Sequence, residues 1–204
     1  GMHFNCFSSQ RGRALMRSLV AGMSLSAAGL VSLVMYEGYT SRAVVPIKAD
    51  APTIGFGSTV HEDGSPVKLG DITTPQNALK KTLAHISRDE QAFRDSLSGA
   101  FLTQPEYDLY LDFVYNFGLS NWRKSEMRKQ ILQGEHRAAC DALLAWRYQG
   151  RSPNRRDCSL PTSWGPKGCK GVWLRQQERH AKCLAAVDAA STPPATPDEP
   201  GVTR

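Results

Sequence analysis

The residues best suited to chemistry begin at Glu37. The chain there reads Glu37-Gly38-Tyr39, and sixteen residues on from Glu37 it reads Thr53-Ile54-Gly55-Phe56-Gly57. A carboxyl group is the residue type that general acid–base catalysis uses, although a lone Glu beside a short β-rich segment is most often a solvated surface group. The second reactive set is sulfur. Cys140, Cys158, Cys169 and Cys183 form an even group of four in the second half of the chain, with Cys6 far upstream. Four cysteines allow three pairings; Cys158 with Cys169, closing a Pro- and Gly-containing loop, and Cys140 with Cys183, stapling two helical segments, are the favoured links. The spacings contain no C-x-x-C knuckle, so neither a zinc site nor any other metal is expected.

These residues need elements to place them. From Glu37 to about Lys68 the chain is rich in Gly, Pro and β-branched residues, and AVVPIKADAPTIGFGSTV reads as short strands and turns. The pattern turns helical at Thr74, an N-cap followed by Pro75, with Leu79, Leu83, Ile86, Phe93 and Leu97 at near-helical spacing. Thr103, with Pro105 and Glu106 after it, offers a capping box for a helix running to Gly118. Ser125 to Leu132, Arg137 to Trp146 and Val172 to Ala190 read as three more helices. After Ala190 the chain has four Pro in 14 residues and no apolar pattern, which predicts a disordered tail over 191–204. No internal repeat is visible, and the expectation is one α+β domain over 37–190, with a small antiparallel sheet lobe and a mainly helical lobe.

At 204 residues and 41% hydrophobic, the chain can bury an ordinary core, which excludes wholesale disorder and a polytopic membrane protein. The net charge of +6 divides unevenly: residues 1–36 hold three Arg and no acid, leaving +3 for the rest. Such a body suits polyanions in general, but without a basic stripe it does not predict nucleic-acid binding. Residues 1–17 read as a basic N-terminal segment. Ser18 to Tyr36 then runs 19 residues without a charge, close to the hydrocarbon thickness of a bilayer as a helix. Nine of those 19 are Ser, Gly or Ala, so insertion would be shallow in free energy. A weak uncleaved anchor is the leading reading, with Arg11, Arg13 and Arg17 keeping its N-terminal side cytoplasmic; a cleaved signal peptide and a buried core helix are the alternatives. The exported cysteines fit a compartment where disulfides persist.

Glu37-Gly-Tyr followed by Pro52-Thr53-Ile54-Gly55-Phe56-Gly57 resembles the phage-type lysozymes, or endolysins, of glycoside hydrolase family 24, whose signature is a catalytic Glu, then an Asp, then T-I-G-x-G. Downstream, Tyr107 to Gly118 resembles that family's helix ending in F-x-x-N-x-G. Ser125 to Leu132 matches its S-x-x-x-x-x-L helix, Trp146 to Gly150 its W-x-Y-x-G segment, and Gly171 to Glu178 its G-L-x-x-R-R-x-x-E helix. The matches span roughly residues 37 to 185, so chance agreement is improbable even though each motif is degenerate. The weak anchor before Glu37 is similar to that of the signal-anchor-release subgroup.

The resemblance implies a lysozyme-like fold and hydrolysis of the β-1,4 bond between N-acetylmuramic acid and N-acetylglucosamine in peptidoglycan. Glu37 would be the general acid, its carboxyl kept protonated by an apolar wall or a neighbouring charge arrangement. Thr53 would help to hold the attacking water. Most relatives carry an Asp six residues before that Thr; here Ile47 stands there, and Asp50, three residues before Thr53, is assigned as the second carboxylate, with a turn Asp as the alternative. If Asp50 lies outside the site, Glu37 alone could support a lytic transglycosylase giving a 1,6-anhydro product. Asn116 matches the family's cleft Asn, with a helix C-cap as the alternative, and Arg175 the first Arg of its R-R pair, which would bridge to Glu37 or else lie on an exposed helix face; Gln176 replaces the second Arg. Ser58 stands where relatives often have His, so no buried ion pair is expected there. The resemblance further implies an inner-membrane tether through residues 18–36, a periplasmic catalytic domain released later, a monomer, and no cofactor. A non-catalytic, membrane-tethered wall-binding protein is the rival from another class.

Overall fold

Local capping signals start the main helices where the sequence places them. The computed structural model describes residues 16–44, 51–61 and 63–191, apart from the side chains of Tyr36 and Glu37. In chain order these are β1 (Ser18–Leu19), a 3-10 turn at Val20–Gly22, α1 (Ala27–Glu37), β2 (Thr40–Val44), β3 (Thr53–Gly55), α2 (Pro75–Ser96) and β4 (Phe101–Leu102). There follow α3 (Gln104–Phe117), α4 (Leu119–Arg123), α5 (Glu126–Leu132), α6 (His136–Ala142), β5 (Tyr148–Gln149), β6 (Arg156–Asp157) and α7 (Lys170–Ser191). Thr74 caps α2 by accepting from the Asn77 N–H, and Thr103 and Glu106 close the expected capping box on α3. The Arg137–Trp146 segment forms less α-helix than its pattern predicts, because α6 tightens into a 3-10 turn at Leu143–Ala145.

The strands form three antiparallel pairs. β2 pairs with β3, Thr40 opposite Gly55 and Val44 opposite Thr53, over a small core of Ala43, Ile54 and Val67. The other two pairs, β1 with β4 and β5 with β6, brace the helical lobe. That lobe holds the main core, with Phe93, Tyr107, Phe113 and Trp122 fully buried. Trp122 sits within ring contact of Phe93, Tyr110 and Phe113. Disulfides join Cys140 of α6 to Cys183 of α7 and Cys158 to Cys169.

The stretch expected as one helix over 18–36 is in three pieces in this structure, and it belongs to the helical lobe. β1 pairs with β4, and the Val20 N–H donates to the Ala100 carbonyl at 2.9 Å. The chain then breaks at Met23–Ser26, and only α1 is α-helical. The reason is local: Ser24 and Ser26 belong to a residue type that favours caps and turns over helix interiors. Ser26 caps α1 by accepting from the Gly29 N–H at 3.0 Å. Carboxylates of the body take the freed polar groups, Glu90 accepting from the Leu25 N–H at 2.7 Å and Asp108 from the Ser26 N–H at 3.0 Å and from the Ser26 hydroxyl. Val20 and Leu33 are fully buried in the main core. No helix among the described residues is long and apolar enough to cross a membrane.

Arg17, expected as the end of a basic leader, is pinned as well. Its guanidinium donates through Nε and Nη2 to both oxygens of Glu106 at 3.2 and 3.1 Å. The same carboxylate accepts from the Thr103 N–H at 2.7 Å and lies 3.1 Å from His136 Nδ1. One buried anion therefore ties the N-terminal segment, the start of α3 and the start of α6 together. Cys6, the rest of the basic leader and the tail over 192–204 lie outside the described residues.

Candidate active site

The last residue of α1 is Glu37, and Gly38 turns the chain with a φ of 62°, a left-handed value that glycine adopts without strain. Two residues later β2 begins. Because Thr40 lies opposite Gly55, the Thr53-Ile54-Gly55 strand runs antiparallel to the chain leaving Glu37. With Val44 opposite Thr53, this register brings the Gly55–Gly57 end of the second motif towards the Glu37 end of the hairpin and leaves Thr53 at its other end. Thr53 is half-buried, and its hydroxyl lies 3.5 Å from the Val44 carbonyl, too long for a strong bond, so that hydroxyl is open to another partner. Asp50 lies outside the described residues.

A cavity of about 950 Å³ opens between the loop after β3, α2, the end of α3 and α7. Asn116 and Arg175 both line it, with Ser58, His61 and Tyr115. A second cavity of about 390 Å³ shares Ser58, His61 and Lys81 with the first and reaches Ile54 and Gly55, the residues beside Thr53. Residues from both halves of the chain thus line two adjoining cavities at an interlobe cleft, Asn116 and Arg175 in the first and Ile54 and Gly55 in the second. Asn116 is held in its last helical turn by donating from Nδ2 to the Asp112 carbonyl at 2.8 Å and to Asp112 Oδ1 at 3.2 Å. Arg175 projects from the exposed face of α7.

Behind Asn116 and Arg175 lies a polar network that the sequence motifs do not announce. Arg179, one turn beyond Arg175, donates from Nε to Asp112 Oδ2 at 3.0 Å and from Nη1 to Gln176 Oε1 at 2.5 Å. Gln176 passes the chain on from Nε2 to the Leu143 carbonyl at 3.0 Å. Gln176 is fully buried and Arg179 nearly so. The network fixes α7 against α3, and with it the relative position of Arg175 and Asn116. Only the helical repeat on α7 hints at it, since its partners are distant in sequence.

The cleft wall is cationic. Lys80, Lys81 and Arg88 of α2 join Arg175 in the first cavity, whose lining holds no Asp or Glu among the described residues, while Asp63 lines the second. Such a wall attracts an anionic polymer and excludes other cations. At its rim, His61 Nε2 lies 2.6 Å from Asp71 Oδ2. The Lys68 N–H and His61 hold the Asp71 carboxyl below the usual carboxylate range. This contact sits three residues beyond Ser58, on the lobe surface. Tyr115 meets His85 edge-on at 5.6 Å, and Tyr39 packs on Phe56 at 5.4 Å, while Trp122 is core. Among the described residues no cluster of His, Cys, Asp and Glu is placed to hold a metal.

The family model for phage lysozyme matches residues 34–157. The endolysin of Salmonella phage P22 is 30% identical over 135 residues, covering 65% of this chain and 89% of the relative. The SAR-endolysin of Pseudomonas phage phiKMV is 32% identical over 131 residues, covering 64% of this chain and 76% of the relative. Among solved structures, an endolysin from Escherichia coli O157:H7 phage FAHEc1 superposes with a TM-score of 0.68 at 24% identity, covering 80% of this chain and 94% of that one.

Proposed function

Because the chain belongs to the phage lysozyme family, a group of glycoside hydrolases acting on peptidoglycan, we propose that Glu37 is its catalytic acid, cleaving the β-1,4 bond between N-acetylmuramic acid and N-acetylglucosamine. The observation that carries this is the register of the β2–β3 hairpin, which sets the Thr53 strand beside the chain leaving Glu37, at the edge of the interlobe cleft. Glu37 donates a proton to the departing glycosidic oxygen. Asp50 supplies the second carboxylate, orienting water at the opposite face of the sugar, and the Thr53 hydroxyl helps to hold that water. Asn116 and Arg175 line the cleft where the glycan lies.

The SAR-endolysin relatives, together with the small-residue segment and the disulfides, support a further step. Residues 18–36 first tether the protein in the inner membrane with the body in the periplasm, and the enzyme is latent because Glu37 adjoins the bilayer. After release, the same residues take their places as β1 and α1. Gly29 serves both states: a small residue weakens membrane insertion, and it lets α1 approach Asp108.

Full-length wild type, Glu37→Gln and Asp50→Asn are incubated with purified peptidoglycan and the soluble fragments weighed by mass spectrometry. Hydrated fragments from wild type, and a loss of at least about a hundredfold in rate in Glu37→Gln, are the expected result. Anhydro fragments would make the enzyme a lytic transglycosylase, in which case Asp50→Asn retains activity. Fragments released equally by Glu37→Gln would remove Glu37 from catalysis.

A further inference from the structure

The modest +3 of residues 37–204 hides a sharp division. Between Arg147 and Lys170 the chain carries Arg147, Arg151, Arg155, Arg156, Lys167 and Lys170 against the single acid Asp157. Arg147 is spent on Asp157, donating from Nε to both carboxylate oxygens at 3.2 Å. The other five are exposed and have no ion-pair partner among the described residues. They are nevertheless held in place. Arg155 lies over the Tyr148 ring at 4.1 Å, and Lys170 over the Trp164 ring at 4.6 Å. Arg156 donates to the Gln149 side chain at 2.8 Å and to the Lys167 carbonyl at 3.1 Å. The β5–β6 pair and the Cys158–Cys169 disulfide close the loop beneath them.

We propose that this disulfide-closed loop is a docking surface for an anionic lipid bilayer. A shallow concavity lined by Arg156, Thr162, Ser163, Trp164 and Lys167 offers two cations and two hydroxyls to a headgroup phosphate. What distinguishes a bilayer from a soluble polyanion is the apolar residues beside the charges. Leu160 is 51% exposed, and the Trp164 indole, tied by its N–H to the Cys158 carbonyl at 2.9 Å, is 36% exposed. Leucine and tryptophan have no use against a dissolved anion, but at the boundary of headgroup and acyl chain they sit favourably while Lys and Arg reach the phosphates. The surface is separate from the cleft and does not depend on which residues carry catalysis.

The test uses full-length protein, wild type and Arg151→Gln/Arg155→Gln/Lys167→Gln/Lys170→Gln, with vesicles of phosphatidylcholine alone or mixed with phosphatidylglycerol. Bound protein is measured by sedimentation. Wild type is expected to prefer the phosphatidylglycerol vesicles, and the fourfold variant to lose on the order of a hundredfold in affinity for them. Dissolved glycerol phosphate should not displace the protein, Trp164→Ser should weaken binding, and the fourfold variant should cleave and bind lipid-free peptidoglycan like wild type. The proposal is overturned if wild type holds both vesicles equally, or if the fourfold variant binds them as wild type does, which would assign the affinity to residues 18–36. It is equally overturned if the variant loses its hold on lipid-free peptidoglycan, since the patch would then serve the acidic peptides of the wall.

Discussion

Glu106 shows how much one side chain can integrate. Burial alone would push its carboxyl up, but His136, the Arg17 guanidinium and the Thr103 N–H outweigh that and hold it at about 2, against 4.5 in an unfolded chain. A carboxyl depressed in this sense adds stability that is fully present above the unfolded value and is lost as pH falls through the folded one. Acid should therefore remove this contribution between about pH 4.5 and about 2. Glu106→Gln is expected to lose roughly 3 kcal/mol at neutral pH, since Arg17 stays behind without its anion, and to show a shallower decline across that window. Urea unfolding at a series of pH values reads both. At Gly29 the constraint is steric: an added Cβ would meet Asp108 Cγ at 2.6 Å and Cβ at 2.8 Å. Gly29→Ala should cost about 1–3 kcal/mol in protein refolded without membrane. Gly22→Ala, which meets nothing within 4 Å, is the control; equal losses in the two would show that helix packing at Gly29 is not the cause.

Among the elements, the two disulfides differ in the chain they close, 43 residues for Cys140–Cys183 and 11 for Cys158–Cys169. Loop-closure entropy then predicts a loss of about 4 kcal/mol for the double alanine variant of the first and about 3 kcal/mol for that of the second, measurable by chemical unfolding. The first pair also locks α6 to α7, the helix that carries Arg175. Helix α3 was legible at both ends in the sequence alone, because Thr103, Glu106 and Gly118 act on their own neighbours. The β1–β4 pair was not, since neither two-residue strand has a pattern and the partners lie at opposite ends of half the chain. The same physics divides the candidate site. Asn116 and Arg175 could be placed from motifs that each lie within one helix. Arg179, Asp112 and the cationic face of α2 become visible only when helices remote in sequence are packed together.

On the scale of the molecule, the N-terminal segment is a structural part of the helical lobe. Val20, Met23 and Leu33 are buried in the same core as Phe93 and Tyr107. Removing residues 1–36 would uncover that core at a cost of about 5 kcal/mol and strand Glu106, comparable with the whole stability of an ordinary domain. A chain beginning at Glu37 is therefore expected to be unfolded or aggregated by circular dichroism; a cooperative thermal transition and full activity in that fragment would show the segment to be dispensable. Helix α3 joins the two ends of this arrangement. In its 14 residues, about 21 Å of rise, the first two turns grip Arg17 and Ser26 through Glu106 and Asp108, and the last carries Tyr115 and Asn116 into the cleft. The helix works like the shank of a key, whose shoulder at one end sets the depth of the teeth at the other. Lengthening it by a residue between Leu109 and Phe113 would leave both ends intact and spoil their alignment.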